Sequence, residues 1–317
     1  MPLHLTDLMN TPDPVLAYNV LRALKKDTAE SKKRLLADER IQALVQELQD
    51  WPGPQLSSHK SASQFFHKLV FLADIGLRHD DRGMKHIIST ILKSADDQGI
   101  PCIGMNIGTA YGGTGKDTKA WALCDAPNVL YALKRFGVSD TRLNKATTHL
   151  AGLHQDNGFG CRVSPALGTW HGPGRKADPC PYATLIMLKL LLLDKKKYQE
   201  EIKLSTACLL DLWENSKTRH PYIFYMGTDF RKLKLPFIWY DILHVVDVLS
   251  QIPACVQDRR LLDMYAVIKT KETAQGYTPE SVYLPWRAWD FGQKKQPSDW
   301  MTFIISRIKQ RLQIRKP

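Results

Sequence analysis

The chain has 317 residues, 44% of them hydrophobic and 24% charged, which excludes wholesale disorder and allows one large domain or two ordinary ones. Its formal net charge of +12 favours anionic partners, whether phosphate-bearing small molecules or nucleic acid. Met1 to Asp7 show no basic segment leading into an apolar one. The longest apolar stretch, Ala183 to Leu193, is broken by Thr184 and Lys189 and is too short to span a bilayer. The expectation is therefore a cytoplasmic chain with no transmembrane segment, whose six cysteines stay reduced and favour metal or redox chemistry over structural bridges.

In chain order, the hydrophobic spacing predicts an opening pair of helices, from about Asp13 to Lys26 and from Leu35 to Gln49. A plan then recurs: a glycine-containing loop, basic residues, then a Cys, Pro or aromatic leading into an apolar helix. A weak copy runs from Trp51 to Leu77. Four clearer ones are Tyr111 to Lys134, Gly168 to Lys189, Tyr225 to Leu249 and Trp289 to Ile308. Cys102 to Cys161 spans 59 residues and Cys124 to Cys180 spans 56, which sets the period.

In the second copy, one helix is expected from Ala120 to Phe136 and a second from Asp140, a good N-cap, to Leu153. Gln155 to Pro179 reads as a loop, and the next helix starts near Pro181. The first helix of each pair is apolar almost all round, as in residues 185–193 and 237–249, and so belongs inside. The second, as in residues 196–215, is amphipathic and faces water. Six inner and five outer helices result, with minimal β-structure and no hairpin dipeptide between strands. The ends, residues 1–12 and 312–317, are expected to fray, and the charges from Arg307 to Pro317 are read as a helix end.

Gln155-Asp-Asn-Gly-Phe-Gly-Cys161, followed by Cys180-Pro-Tyr-Ala-Thr-Leu185, resembles the repeat of the terpenoid cyclase and protein prenyltransferase superfamily. Gly276 to Ser281 and Gly292 to Trp300 resemble the closing repeat of small bacterial members. The resemblance implies an all-α fold over residues 1–317: one α/α-toroid domain of about five to six helix pairs in inner and outer rings. Proton-initiated cyclases of the family use Asp-x-Asp-Asp. This chain has only the isolated pairs Asp80-Asp81 and Asp96-Asp97, so that activity is not expected. The prenyltransferase branch implies zinc held in the repeat loops, at positions where Asp156, Cys161 and Cys180 fall.

Three sets of residues carry candidate chemistry. Repeat equivalence brings Cys102, Cys124, Cys161 and Cys180 towards one rim, where thiolates, with His154 or His171 in place of one, would hold zinc or an iron–sulfur cluster; plain core cysteines are the alternative. Lys116, Lys119, Arg175, Lys176, Arg231, Lys232, Lys234, Lys294 and Lys295, with His59 and Lys60 in the early copy, all precede inner helices. There they would bind anions beside helix N-termini, with Gly112, Gly113, Gly115, Gly172 and Gly174 admitting backbone contact, unless they are simply solvated. Asp241 and His244 share a face of an apolar helix that also carries Asp247. They are read as an acid–base pair or as a structural anchor, with Asp229 and Asp290 as further acids. Trp170, Tyr182, Trp239, Tyr240, Trp286, Trp289 and Trp300 are read as lining a cavity.

Together these features suggest an enzyme that binds an anionic, partly apolar ligand. The alternatives are a nucleic-acid-binding protein using the same basic rim and a scaffold that recognises a protein partner.

Overall fold

The structure is a computed structural model in which residues 5–172, 175–221 and 224–313 are described. It is predominantly helical. The chain divides into two compact units: Leu44–Tyr225, and the residues up to Ala43 together with those from Met226 onward. Among the described residues no helix is long and apolar enough to cross a membrane.

The first helices are α1 (Pro14–Ala23), α2 (Ala29–Ala37) and α3 (Glu39–Glu47). The single helix expected over residues 35–49 is broken at Asp38, whose extended backbone ends α2. Its carboxylate accepts the Arg40 N–H at 3.0 Å.

In the Leu44–Tyr225 unit lie α4 (Phe65–Ile75), α5 (Met84–Lys93), α6 (Ala126–Phe136), α7 (Thr141–Ala151), α8 (Pro181–Leu191) and α9 (Gln199–Glu214). Helices α4, α6 and α8 pack in series, with α7 against α6 and α8, and α9 against α8. Every residue of α8 is buried, as a helix apolar all round requires. Its one charge, Lys189, is tolerated because it is paired. Its Nζ lies 2.8 Å from Asp74 and 4.5 Å above the Tyr131 ring, and the Tyr131 hydroxyl donates to the other Asp74 oxygen at 2.6 Å. Gly76 and Gly137 end α4 and α6 in the left-handed conformation, which a side chain would strain.

Helix α6 starts at Ala126 rather than Ala120. Residues 118–120 instead form a strand, β2 (Thr118–Ala120), antiparallel to β1 (Ile103–Met105), and Asp125 occupies the N-cap ahead of Pro127. A second small hairpin joins β3 (His154–Gln155) to β4 (Gly158–Phe159). The two residues between them, Asp156-Asn157, make the turn, and Gly158 follows in β4 at φ +116° against the Cys208 sulfur, where a Cβ would not fit.

The other unit contains, besides α1 and α2, α10 (Thr228–Arg231), α11 (Ile242–Leu249), α12 (Arg259–Lys269) and α13 (Asp299–Gln313). Helices α11, α13 and α1 pack in series, with α12 against α11 and α2 against α1. Asp247 does not reach for solvent. It is buried and accepts from Arg307 and Arg311 of α13, each at 2.9 Å. Helix α11 is shorter than expected, because Phe237 to Asp241 lie ahead of it in extended or bent backbone after Pro236.

Candidate functional site

The unit that carries α11 gathers four of the predicted polar residues. Asp241 is the N-cap of α11, and its Oδ1 accepts the backbone N–H of His244 at 3.0 Å. Its other oxygen is buried and has no hydrogen-bond partner among the described residues. Burial pushes this carboxyl up from 3.8 to about 7, partly offset by the His244 N–H and by the nearby Lys234. Lys234 is itself buried and reaches 2.8 Å to Asp229, an exposed carboxylate that Lys232 also approaches at 3.7 Å. The hydrogen bond from Lys234 holds Asp229 below the usual carboxylate range. The Tyr283 phenol is raised by burial and by the charges of Asp241 and Asp229, which places it in the same neighbourhood.

The segment bearing these groups is fixed from outside. The Leu233 N–H donates to the Glu280 carboxylate at 2.8 Å, and the Glu280 N–H donates back to the Leu233 carbonyl at 2.9 Å. Lys271 adds a bond to the Arg231 carbonyl at 2.7 Å.

Asp241 and His244 do not form the expected carboxylate–imidazole pair. The cap geometry turns the carboxylate onto the backbone, while His244 Nδ1 meets the Trp239 carbonyl at 3.0 Å and its ring stacks on Phe237 at 4.7 Å. A partly buried carboxylate–histidine pair exists elsewhere. His59 Nε2 lies 2.9 Å from Asp125, which is wholly buried and raised by burial. The sequence reading missed Asp125; its one local signal was an acidic residue two positions before Pro127.

Asp290 has a structural role. Its Oδ2 accepts from Ser298 Oγ at 2.9 Å and from the Trp300 N–H at 3.0 Å, tying down the start of α13. Trp286, Trp289 and Trp300 are likewise core residues packed with Phe291 and Phe303, and Arg40 lies 4.4 Å above Trp289. Tyr182 and Tyr240 are buried, and the Tyr182 hydroxyl accepts from Asn128 at 3.1 Å; Trp170 and Trp239 are half-buried.

The basic residues fall in both units. Arg231 is half-buried and donates to the Met226 carbonyl at 3.2 Å, while Lys294 and Lys295 are exposed on a turn held by Gln293. In the Leu44–Tyr225 unit, Lys116, Lys119, Arg175 and Lys176 are exposed and make no ion pair among the described residues. Their loops touch: the Thr169 N–H donates to the Gly112 carbonyl at 3.0 Å, and its hydroxyl to the same oxygen at 3.2 Å. Gly174 and the C-terminal charges from Arg315 onward lie outside the described residues.

Three of the four predicted cysteines converge. Ala122 pairs with Val163 in an antiparallel bridge, and the Leu123 N–H donates to the Arg162 carbonyl at 2.9 Å, so Cys124 comes opposite Cys161. The Cys180 N–H donates to the Phe159 carbonyl at 2.7 Å, and its thiol interacts with those of Cys124 and Cys161. Cys102 lies apart, its thiol donating to the Ile100 carbonyl at 3.6 Å and pushed up to about 12 by burial and by Asp96 and Asp125. Among the described residues no group of three or more His, Cys, Asp and Glu is arranged to hold a metal ion.

Two cavities lie away from Asp241. One of about 310 Å³ is lined by Asp156, Asp178, Cys208, Asp211, Arg219 and His220 among others. The other, of about 240 Å³, lies between Leu5, Leu24 and α13. The first is rich in carboxylates and is unsuited to an anion.

Comparison of the chain with family models, with curated proteins and with solved structures gives no match.

Proposed function

We propose that the chain is an enzyme whose helix pairs are the repeats of an α/α toroid, and that it transfers a proton on an anionic, partly apolar substrate. The serial packing of buried helices within each unit, flanked by more exposed ones, supports the repeat reading. Asp241 carries the functional one: a buried carboxyl, poised near 7, with one oxygen uncommitted to any hydrogen bond among the described residues. A group that titrates near the working pH is suited to both giving and taking a proton. The exposed Asp229 carboxylate rests on Lys232 and Lys234, where a substrate anion would bind in its place. The half-buried Trp239 and Phe237 offer apolar surface beside it.

The anion brings negative charge to Lys234 while the displaced Asp229 carboxylate stays on the same segment, so the negative charge near Asp241 rises, its protonated form is favoured, and binding should take up protons. Octyl sulfate tests this, because it is partly apolar and its own charge does not titrate near pH 7. Calorimetry in two buffers of different ionisation enthalpy should show uptake of roughly half a proton per ligand in the native chain and none in Asp241→Asn. Binding without proton uptake, or binding indifferent to Lys234→Met, would contradict the proposal.

A second reading, nucleic-acid binding, is favoured by the contact between the two basic glycine loops that carry Lys116, Lys119, Arg175 and Lys176. It requires that a single-stranded oligonucleotide bind with a steep salt dependence that survives Asp241→Asn.

A further inference from the structure

The proton-transfer site uses none of the cysteines, yet three of them are drawn together by backbone pairing between segments far apart in sequence. The antiparallel register sets Cys124 against Cys161, and the hydrogen bond from the Cys180 N–H to Phe159 brings in the third. Cys180 is buried at the N-cap of α8, where its sulfur accepts the Ala183 N–H at 3.5 Å. Cys124 and Cys161 are only half-buried, so solvent reaches the cluster from their side. Gly172 packs against Cys161, since a Cβ there would stand 3.1 Å from its sulfur, and the same loop carries the exposed Arg175 and Lys176. Arg162 is exposed between the paired segments.

We infer that Cys124 and Cys180 form a dithiol that exchanges with small anionic disulfides, with Cys124 as the attacking sulfur and Cys180 as the resolving one. Among the described residues no three or more His, Cys, Asp or Glu are arranged to hold a metal ion. Burying a hydrogen-bonded thiol beside a reachable one is the arrangement disulfide exchange needs: the entering disulfide meets one sulfur, and the second waits behind it. The Cys180 thiol is raised well above the ordinary value, first by its hydrogen bond to Cys124, which keeps it protonated until the outer sulfur has reacted. The basic loops would draw an anionic disulfide to this opening.

The chemistry balances. Cys124 gives its proton to solvent and attacks one sulfur of the disulfide RSSR. The Cys124–SR bond forms as the RS–SR bond breaks, and the leaving thiolate takes a proton. Cys180 then loses its proton and attacks the Cys124 sulfur, forming Cys124–Cys180 and releasing the second RSH. Two protein thiols are oxidised by two electrons, and one RSSR is reduced to two RSH.

The test is peptide mapping of the reduced full chain after brief anaerobic exposure to glutathione disulfide. A Cys124–Cys180 bridge is expected in the native chain and in Cys161→Ser, with a lasting glutathione adduct on Cys124 when Cys161→Ser and Cys180→Ser are combined. At low salt, glutathione disulfide should react at least about tenfold faster than the cationic cystamine. A persistent adduct on Cys124 in the native chain would overturn the inference, as would a bridge that leaves out Cys124 or Cys180. So would stoichiometric zinc that shields all three thiols. The native and Cys161→Ser maps decide the matter even if the combined variant does not fold.

Discussion

The Oδ1 of Asp241 accepts the backbone N–H of His244 at 3.0 Å, and this cap bond, rather than a carboxylate–imidazole contact, joins the two residues. One carboxylate oxygen is thus committed to starting α11, and the other has no hydrogen-bond partner among the described residues. The cap holds the acid in place, and burial raises it.

Asp241 should make stability fall with rising pH. Its carboxyl sits at about 7 in the fold and at 3.8 as the ordinary value, so the native state binds the extra proton. The contribution is intact below pH 4 and is lost as pH rises to 7, by up to ~4 kcal/mol. Asparagine also caps helices well, so Asp241→Asn should melt higher than the native chain at pH 8 and match it at pH 4. Thermal melts across that range check the sign.

Asp229 occupies the cations that an anion would use, so Asp229→Asn should tighten octyl sulfate binding. About a threefold to fivefold gain is expected, in keeping with the modest worth of an exposed ion pair. Calorimetric titration of the variant reads this directly, and unchanged or weaker binding would place the anion elsewhere.

Asp247 fastens α11 to α13 through Arg307 and Arg311. Asp247→Ala should strand two arginines in a largely buried setting and cost about 3 kcal/mol in chemical denaturation. Arg311→Ala alone should cost less, because Arg307 still satisfies the carboxylate. In a double-mutant cycle the two losses should fall short of adding.

Lys189 balances Asp74 inside the Leu44–Tyr225 unit. Burial raises Asp74, but the Lys189 charge and hydrogen bond outweigh it and the carboxyl ends below its ordinary value. That contribution is present above pH 4 and is lost as pH falls through the lowered value. Lys189→Met should therefore lower the melting temperature at pH 7 by several degrees and by progressively less in acid.

Much of the helical layout was legible because its signals are local. An apolar run with a single lysine identifies α8 as buried, and Asp140 caps α7 at the expected place, its carboxylate accepting the Arg142 N–H at 2.9 Å. Start points failed where an apolar run precedes the cap. Phe237 to Tyr240 look helical by composition, yet the helix waits for Asp241. Residues 120–125 look helical too, but Ala120 ends a strand whose partner lies at 103–105, and the helix waits for the Asp125 cap.

Tertiary pairings were the least legible. His59 and Asp125 are 66 residues apart, and nothing near either residue announces the other. The sequence named Cys124, Cys161 and Cys180 with Cys102, but what brings the three together is the Ala122–Val163 pairing and the bond from the Cys180 N–H to the Phe159 carbonyl. Cys102 departs because its thiol turns inward onto the Ile100 carbonyl. Trp289 and Trp300 were misassigned to a cavity because an aromatic residue carries no local mark of whether it faces a core or an opening.

The most direct measurement is an infrared titration of the native chain against Asp241→Asn from pH 4 to 9. A protonated-carboxyl band present only in the native chain should disappear with a midpoint near 7, and octyl sulfate should move that midpoint upward. A difference band that titrates near 4, or one that octyl sulfate leaves unmoved, would show that Asp241 is an ordinary helix cap and not a proton-transfer group.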